Sequence, residues 1–369
     1  MNQLAPTLPS SAAPLTIAWS PPPKGFLGVS LLNGLLRVLT LGVYHFWGKT
    51  EVRQRIWSAI RLNGEPLEYR GTGGELCRGF LVVFTLVLVP LGVASLLVAI
   101  FAGTNAAANG TYQLTLWSLL LLLSGLGIHR ARRYRLSRTR WRGIRAGLAG
   151  HSSRFAWSYL WTSALVPLTL GWILPWRAAY LQRLLFNATH FGDKAFLFTG
   201  RAGPLYRRFW FVWISGIVLG VAAIAGITLL LAPPSDAPTG AAVPVELSSA
   251  KAAELVGIVV LAFFAFGLVQ SGYKARMLNY FASQTTFEGA SFKLSATARS
   301  LLWLTASNFL LRMLTLGILT PIAEARSMRY IIDRLSIDGA VPLQQIGQNR
   351  DALLRRGEGL AEAFNVDAF

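Results

Sequence analysis

Two ten-residue segments of this chain carry one polar pattern on an otherwise apolar helix. Asn33, Arg37 and Thr40 lie in Asn33-Gly34-Leu35-Leu36-Arg37-Val38-Leu39-Thr40-Leu41-Gly42. Asn308, Arg312 and Thr315 hold the same places in Asn308-Phe309-Leu310-Leu311-Arg312-Met313-Leu314-Thr315-Leu316-Gly317. Spacings of i, i+4 and i+7 put the three side chains on one helical face, opposite a leucine surface. A guanidinium flanked by an amide and a hydroxyl can hold an anion such as a carboxylate, a phosphate or a lipid headgroup. The plainer alternative is that each arginine lays its stem along apolar surface and leaves its charge among headgroups. A weaker third copy keeps Leu165 and Leu168-Thr169-Leu170-Gly171, with Val166 at the arginine place.

Other chemistry is sparse. No HExxH, Walker A loop, GxGxxG fingerprint or GxSxG elbow occurs. His45, His129, His151 and His190 are scattered, and Cys77 has no second cysteine to pair with. Gly71, Gly73 and Gly74 read as a loop after a hairpin, since no Walker lysine accompanies them. The chain is therefore expected not to be an enzyme, with no catalytic residue, cofactor or metal assigned. Segment 129–154 holds nine arginines and no acidic residue. With Tyr134 and Trp141 it could stack on nucleic-acid bases; anchoring to anionic headgroups is the reading adopted, and no nucleic-acid partner is expected. Arg53, Arg55, Arg130, Arg132, Arg133, Lys274 and Arg276 are the expected lipid contacts.

Composition identifies the solvent in which these groups sit. Of 369 residues, 53% are hydrophobic and 14% charged, against roughly 25% charged in an average soluble domain. Lys plus Arg number 35 and Asp plus Glu 16, a net charge of +19 that favours an anionic lipid surface. Four apolar stretches, about 79–101, 112–128, 209–232 and 255–272, are long enough to cross a hydrocarbon core of roughly 30 Å. Gly216 and Gly220 in the third form a GxxxG pair, the spacing of close helix approach. The linkers 102–111 and 233–251 are poor in basic residues and the remaining connections rich in them, so the positive-inside rule puts the latter, with both termini, in the cytoplasm. Three further stretches, 26–47, 155–176 and 301–322, would export a basic loop if they crossed. They are expected to be re-entrant or interface-lying hairpins.

Each of those hairpins leads into a second helix, at 47–62, 176–189 and 322–337, and then into a β-turn signal: Asn63-Gly64, Gly192-Asp193 and Asp338-Gly339. The expected architecture is an all-α polytopic membrane protein with short cytoplasmic β-hairpins and an internal repeat: hairpin, basic helix, two crossings. Residues 1–24 read as a flexible Pro-rich leader, 25–150 as repeat unit 1, 151–295 as unit 2, 296–340 as a truncated unit 3, and 341–369 as a polar cytoplasmic tail.

The chain resembles the YjgN-like bacterial inner-membrane proteins, a family of unknown function. The resemblance rests on the Leu-Thr-Leu-Gly segments, on Trp47-Gly48-Lys49, on Leu62-Asn63-Gly64 with Tyr69-Arg70-Gly71-Thr72, and on the closing Ala361-Glu362-Ala363-Phe364-Asn365-Val366-Asp367. It covers about residue 15 to the end, and departs at the prolines of 21–23, where a short strand is usual, and at Thr320-Pro321-Ile322. It implies a multi-spanning protein of the bacterial cytoplasmic membrane and supplies no catalytic residue. Two functions stand side by side. One is a transporter or channel for a small solute, its path lined by Asn33, Arg37, Thr40, Thr169, Asn308, Arg312 and Thr315. The other is a non-enzymatic scaffold that binds anionic lipid or a protein partner through a basic cytoplasmic face. Nothing in the sequence fixes the oligomeric state.

Overall fold

The computed structural model describes residues 13–22, 25–101, 105–231 and 248–348. Strands β1 (Ala13–Pro14) and β2 (Ile17–Trp19) precede a helical hairpin of α1 (Leu27–Leu39) and α2 (His45–Ala59). Strands β3 (Ile60–Leu62), β4 (Glu65–Pro66) and β5 (Glu68–Tyr69) follow. A long helix comes next, α3 (Gly73–Val83) and α4 (Val89–Phe101) joined by a π-helical turn over Phe84–Leu88, and then α5 (Ala106–Ser137). Strands β6 (Thr139–Trp141) and β7 (Ile144–Leu148) lead to a second hairpin of α6 (Ser152–Leu168) and α7 (Leu174–Phe186). After β8 (Thr189–Phe191), β9 (Lys194–Ala195) and β10 (Leu197–Phe198) stand α8 (Gly203–Leu231) and α9 (Ser249–Ser283). Strands β11 (Thr285–Phe287) and β12 (Ala290–Leu294), a third hairpin of α10 (Ala298–Leu314) and α11 (Thr320–Ile332), strands β13 (Leu335–Asp338) and β14 (Ala340–Val341), and a 3-10 turn over Leu343–Gln345 are the last of the described elements.

Among the described residues, four helices are long and apolar enough to cross a membrane: Gly73–Phe101, Ala106–Ser137, Gly203–Leu231 and Ser249–Ser283. Each contains the described part of one expected crossing. Their extra turns, such as Ile128 to Ser137 in α5, carry the basic residues toward the strands.

The hairpins end where the sequence dictates. In each, a leucine and a glycine turn left-handed: Leu41 and Gly42 at φ 50° and 92°, Leu170 and Gly171 at 49° and 82°, Leu316 and Gly317 at 48° and 81°. The glycine N–H then donates back to Arg37 O, Val166 O or Arg312 O at 2.7–2.8 Å, the six-to-one bond that closes a helix C-terminus. Leucine in this region costs about 1 kcal/mol or more, yet its side chain is left outward: Leu41, Leu170 and Leu316 are 95%, 74% and 91% exposed.

The strands form small antiparallel sheets, ordered β2-β3-β4, β5-β6-β7-β8-β9, β10-β11-β12-β13 and β1-β14. Asn63-Gly64 makes its turn with both φ angles positive, and so do Arg142-Gly143 and Glu288-Gly289, the two-residue geometry that suits strand twist. A shared core gathers Leu15, Trp141, Phe287, Ala290, Val341 and Ile346, so both ends of the described chain meet the strands that follow α5 and α9. Trp57 adds a long-range tie, its indole N–H donating to Thr139 Oγ1 at 2.9 Å.

Several expectations need correction. Residues 13–19, read as leader, instead carry the strands β1 and β2, the second of them just ahead of the prolines of 21–23; residues 1–12 lie outside the described residues. The expected tail begins as packed structure: Val341 and Ile346 are buried, and Gly347 N–H donates to Asp193 Oδ1 at 3.1 Å. Residues 349–369 lie outside the described residues. The second helices stop three to five residues early because the chain there is needed as β3, β8 and β13. Asp338-Gly339 closes no hairpin, since β13 pairs with β12 and β14 with β1.

Candidate functional site

The polar residues of the hairpins do not form one cluster. Asn308 is buried at 6% exposure, and its Nδ2 donates to Ala323 O at 3.2 Å and to Ser327 Oγ at 3.0 Å, pinning α10 to α11. Asn33 does the same more loosely, Nδ2 donating to Gly48 O at 3.4 Å. In both amides the Oδ1 is buried without a partner. The threonines close the turns. Thr40 Oγ1 donates to Leu36 O at 2.7 Å and accepts from Tyr44 N–H at 2.9 Å. Thr169 Oγ1 links Leu165 O and Ile173 N–H, and Thr315 Oγ1 links Leu311 O and Leu319 N–H. Arg37 and Arg312 are exposed. The Asn-Arg-Thr anion cluster expected from spacing is thus replaced by an arm-to-arm tie, a free cation and a cap. Asn308, Arg312, Thr305 and Ser327 do line a cleft of about 360 Å³, walled by Leu301, Leu304 and Phe309.

Several arginines expected at the lipid surface are used inside the protein. Arg53 is 7% exposed, its guanidinium donating to the Tyr69 hydroxyl at 3.3 Å. Arg55 donates to Gly25 O at 3.1 Å and pairs with Glu51. Arg133 donates to Leu148 O at 3.1 Å and Gly150 O at 2.6 Å, fastening α5 to the strand that follows it. Arg132 lies over the Phe186 ring, 4.8 Å from its centroid, and Arg130 is half-buried. Arg53, Arg55, Arg132 and Arg133 thus meet hydroxyl, backbone or ring partners that only the tertiary fold brings near, which arginine does well through its planar fork of donors. Lys274 and Arg276 are exposed. Trp141 and Tyr134, both buried, are closed to stacking on bases. Among the described residues no group of three His, Cys, Asp or Glu could hold a metal.

The helix-packing glycines divide. A Cβ on Gly216 would meet the Phe266 ring of α9 at 3.0 Å, whereas Gly220 has no neighbour within 4 Å. The GxxxG pair therefore does not act as a unit, and α8 and α9 approach through Gly216 and, lower down, Gly226 against Ile258. Tighter helix contacts lie elsewhere: a Cβ on Gly125 would stand 2.7 Å from Ala156 Cα, where α5 meets α6, and one on Gly73 2.7 Å from Trp47 Cα, where α3 meets α2.

A second cleft, of about 320 Å³, opens between the first turns of α8 and the last third of α9. Arg207, Arg208 and Arg276 converge on it, with Tyr273 and Tyr280 at its rim and no acidic residue in its lining. Sequence reasoning found Arg276 and missed Arg207 and Arg208. The available signal was their position where α8 leaves a basic connection and turns apolar.

At the ends of the strands, charge pairs hold neighbouring turns together. Arg142 grips Glu65 with two hydrogen bonds of 2.8 and 2.9 Å, which holds the Glu65 carboxyl below its ordinary range.

No solved structure matches the chain. It is 22% identical over 352 residues to the inner membrane protein YjgN of Salmonella typhimurium, covering 84% of this chain and 85% of that one. Residues 16–363 match DUF898, a family described as bacterial protein of unknown function, and the chain belongs to that family.

Proposed function

We propose that this protein is a multi-pass component of the bacterial inner membrane that acts as a non-enzymatic scaffold, its strands and both termini facing the cytoplasm. The similarity to an inner membrane protein and the four long apolar helices support the location. Basic residues concentrated at one end of those helices support the orientation. The chain is read as three repeated units, each a helical hairpin followed by a strand, with two crossings in the first two units. The matched strand registers Ile17 with Leu62, Ala146 with Phe191 and Phe292 with Ile337 favour that plan.

The observation that carries the scaffold reading is the trio of outward leucines at the hairpin tips. Helices α1, α6 and α10 have 13, 17 and 17 residues, about 20–25 Å at 1.5 Å per residue, too short for a full crossing. A re-entrant hairpin whose tip is leucine enters hydrocarbon and leaves on the same side, and the exposed Trp157 and Trp303 suit the headgroup boundary. Three of the seven residues assigned to a solute path, Thr40, Thr169 and Thr315, are occupied as caps, which weakens the transporter reading. That reading keeps one specific observation, the Asn308 and Arg312 cleft.

Single cysteines at 41, 170 and 316, in a C77A background, test the proposal. Reaction with a lipid-soluble maleimide, but not with an impermeant one added from either side, is expected. Labelling from the periplasm at any tip would turn that hairpin into a crossing or a pore and overturn the scaffold.

A further inference from the structure

We propose that the cleft between the basic ends of α8 and α9 binds the phosphate headgroup of an anionic glycerophospholipid. The inference rests on the reading above that both helices cross the bilayer, and it adds a defined site to a generally basic face. Tyr273, Arg276 and Tyr280 follow one another on one face of α9 at i, i+3 and i+7. Arg207 and Arg208 face them from the second turn of α8, just after the buried Leu205. None of the three arginines has a partner among the described residues. Four other cations of this end, Arg138, Arg142, Lys194 and Lys293, sit in ion pairs.

The cleft is a built cavity. The Tyr280 hydroxyl accepts from Arg201 N–H at 2.9 Å and donates to Arg201 O at 3.0 Å, tying the segment before α8 to α9. Phe209 and Tyr273 pack with ring centroids 5.3 Å apart, fixing the helix spacing below. The first turn of α8 has no acidic residue, so the positive end of its helix dipole is left uncompensated there and adds to the potential.

The helix face below the cleft selects a lipid over a free phosphate. Arg207, Phe211, Ile214 and Val218 fall at i, i+4, i+7 and i+11 of α8, and the three apolar members are exposed. A cation at the top of an exposed apolar stripe matches a molecule with a phosphate and an acyl chain, whereas a soluble phosphate would leave the stripe unused.

Native mass spectrometry of the full-length protein in neutral detergent tests this, with dioleoylphosphatidylglycerol or dioleoylphosphatidylcholine added. The wild type should retain phosphatidylglycerol over phosphatidylcholine by at least about tenfold, given three cations near the surface. The variant R207Q/R208Q/R276Q should lose that excess, R207K/R208K/R276K should keep most of it, and F211S/I214S should lower retention of both lipids. Size exclusion and thermal melting establish that each variant is folded. Equal retention of the two lipids by wild type, or an excess that survives the triple glutamine change, would overturn the site. Displacement of phosphatidylglycerol by sn-glycerol 1-phosphate at comparable concentration would overturn the lipid assignment in favour of a soluble phosphate. The tip-cysteine pattern stands apart from these results, so the site can fail while the scaffold reading holds.

Discussion

Trp213 of α8 donates its indole N–H to the carbonyl of Leu170, at 2.8 Å, binding the tip of the second hairpin to a long apolar helix. Trp172 packs edge-on against the same indole, with centroids 5.2 Å apart, and also touches Tyr206 and Phe209. The carbonyl belongs to a residue in the left-handed region, where the regular helix ladder has already ended and an outside donor is needed.

Replacing Trp213 by Phe should keep most of the ring packing and remove that donor, at a cost of about 1 kcal/mol. Hydrogen exchange of the peptide spanning 169–174 is the direct measure, with faster exchange there than in the 40–44 peptide of the same variant. Unchanged exchange would mean that lipid contact, not α8, holds the tip.

Asn308 and Thr315 both stand on α10 and do different work, so their variants should separate. Asn308→Ala breaks two hydrogen bonds between α10 and α11 in a buried place and should cost about 1–3 kcal/mol. Thr315→Val keeps the shape, loses only the cap, and should cost about 0.5–1 kcal/mol. Denaturant unfolding in detergent measures both. A larger loss at Thr315 would reverse the assignment of tie and cap.

The contrast shows how much was legible. Leu-Thr-Leu-Gly announced its turn because a glycine after a leucine-rich helix is local information, and the four long apolar stretches followed from the width of a bilayer. Asn63-Gly64 gave its hairpin for the same reason. The fate of Arg53 was not legible, since Tyr69, sixteen residues on, reaches it only once α2 and β5 are packed. Spacing put Asn308, Arg312 and Thr315 on one face correctly, but it carries no information on the opposite arm, whose Ala323 and Ser327 decide that Asn308 turns inward. The strands of 13–19 escaped notice because two- and three-residue strands have no period to read.

Glu65 and Arg142 provide a pH-dependent contact between two turns. The Arg142 hydrogen bonds lower the folded-state pKa of Glu65 from its ordinary 4.5. A depressed carboxylate contributes stability that is complete above the ordinary value and disappears as pH falls through the lower folded one. The stability gap between wild type and Glu65→Gln should therefore be full above the ordinary carboxylate value and close as pH falls below the lowered folded one. Unfolding curves of both proteins across that range check it. A gap that widens on acidification would exclude the contact as its source.

Glu75 joins α3 to α5 through two oxygens at once, Oε1 to Arg138 at 2.9 Å and Oε2 to the Tyr134 hydroxyl at 2.8 Å. Tyr134 is buried, so Glu75→Ala strands its hydroxyl as well as a half-buried guanidinium, and should cost about 2–4 kcal/mol. Tyr134→Phe removes one bond and leaves no orphaned donor, so about 1 kcal/mol is expected. Once Tyr134 is Phe, deleting Glu75 no longer strands a hydroxyl, and the double variant should be less destabilised than the two single costs added, by about 0.5–3 kcal/mol. A double-mutant cycle in detergent measures that coupling. Strict additivity would mean that Glu75 acts through Arg138 alone, and that the Tyr134 hydroxyl finds another acceptor when the carboxylate is gone.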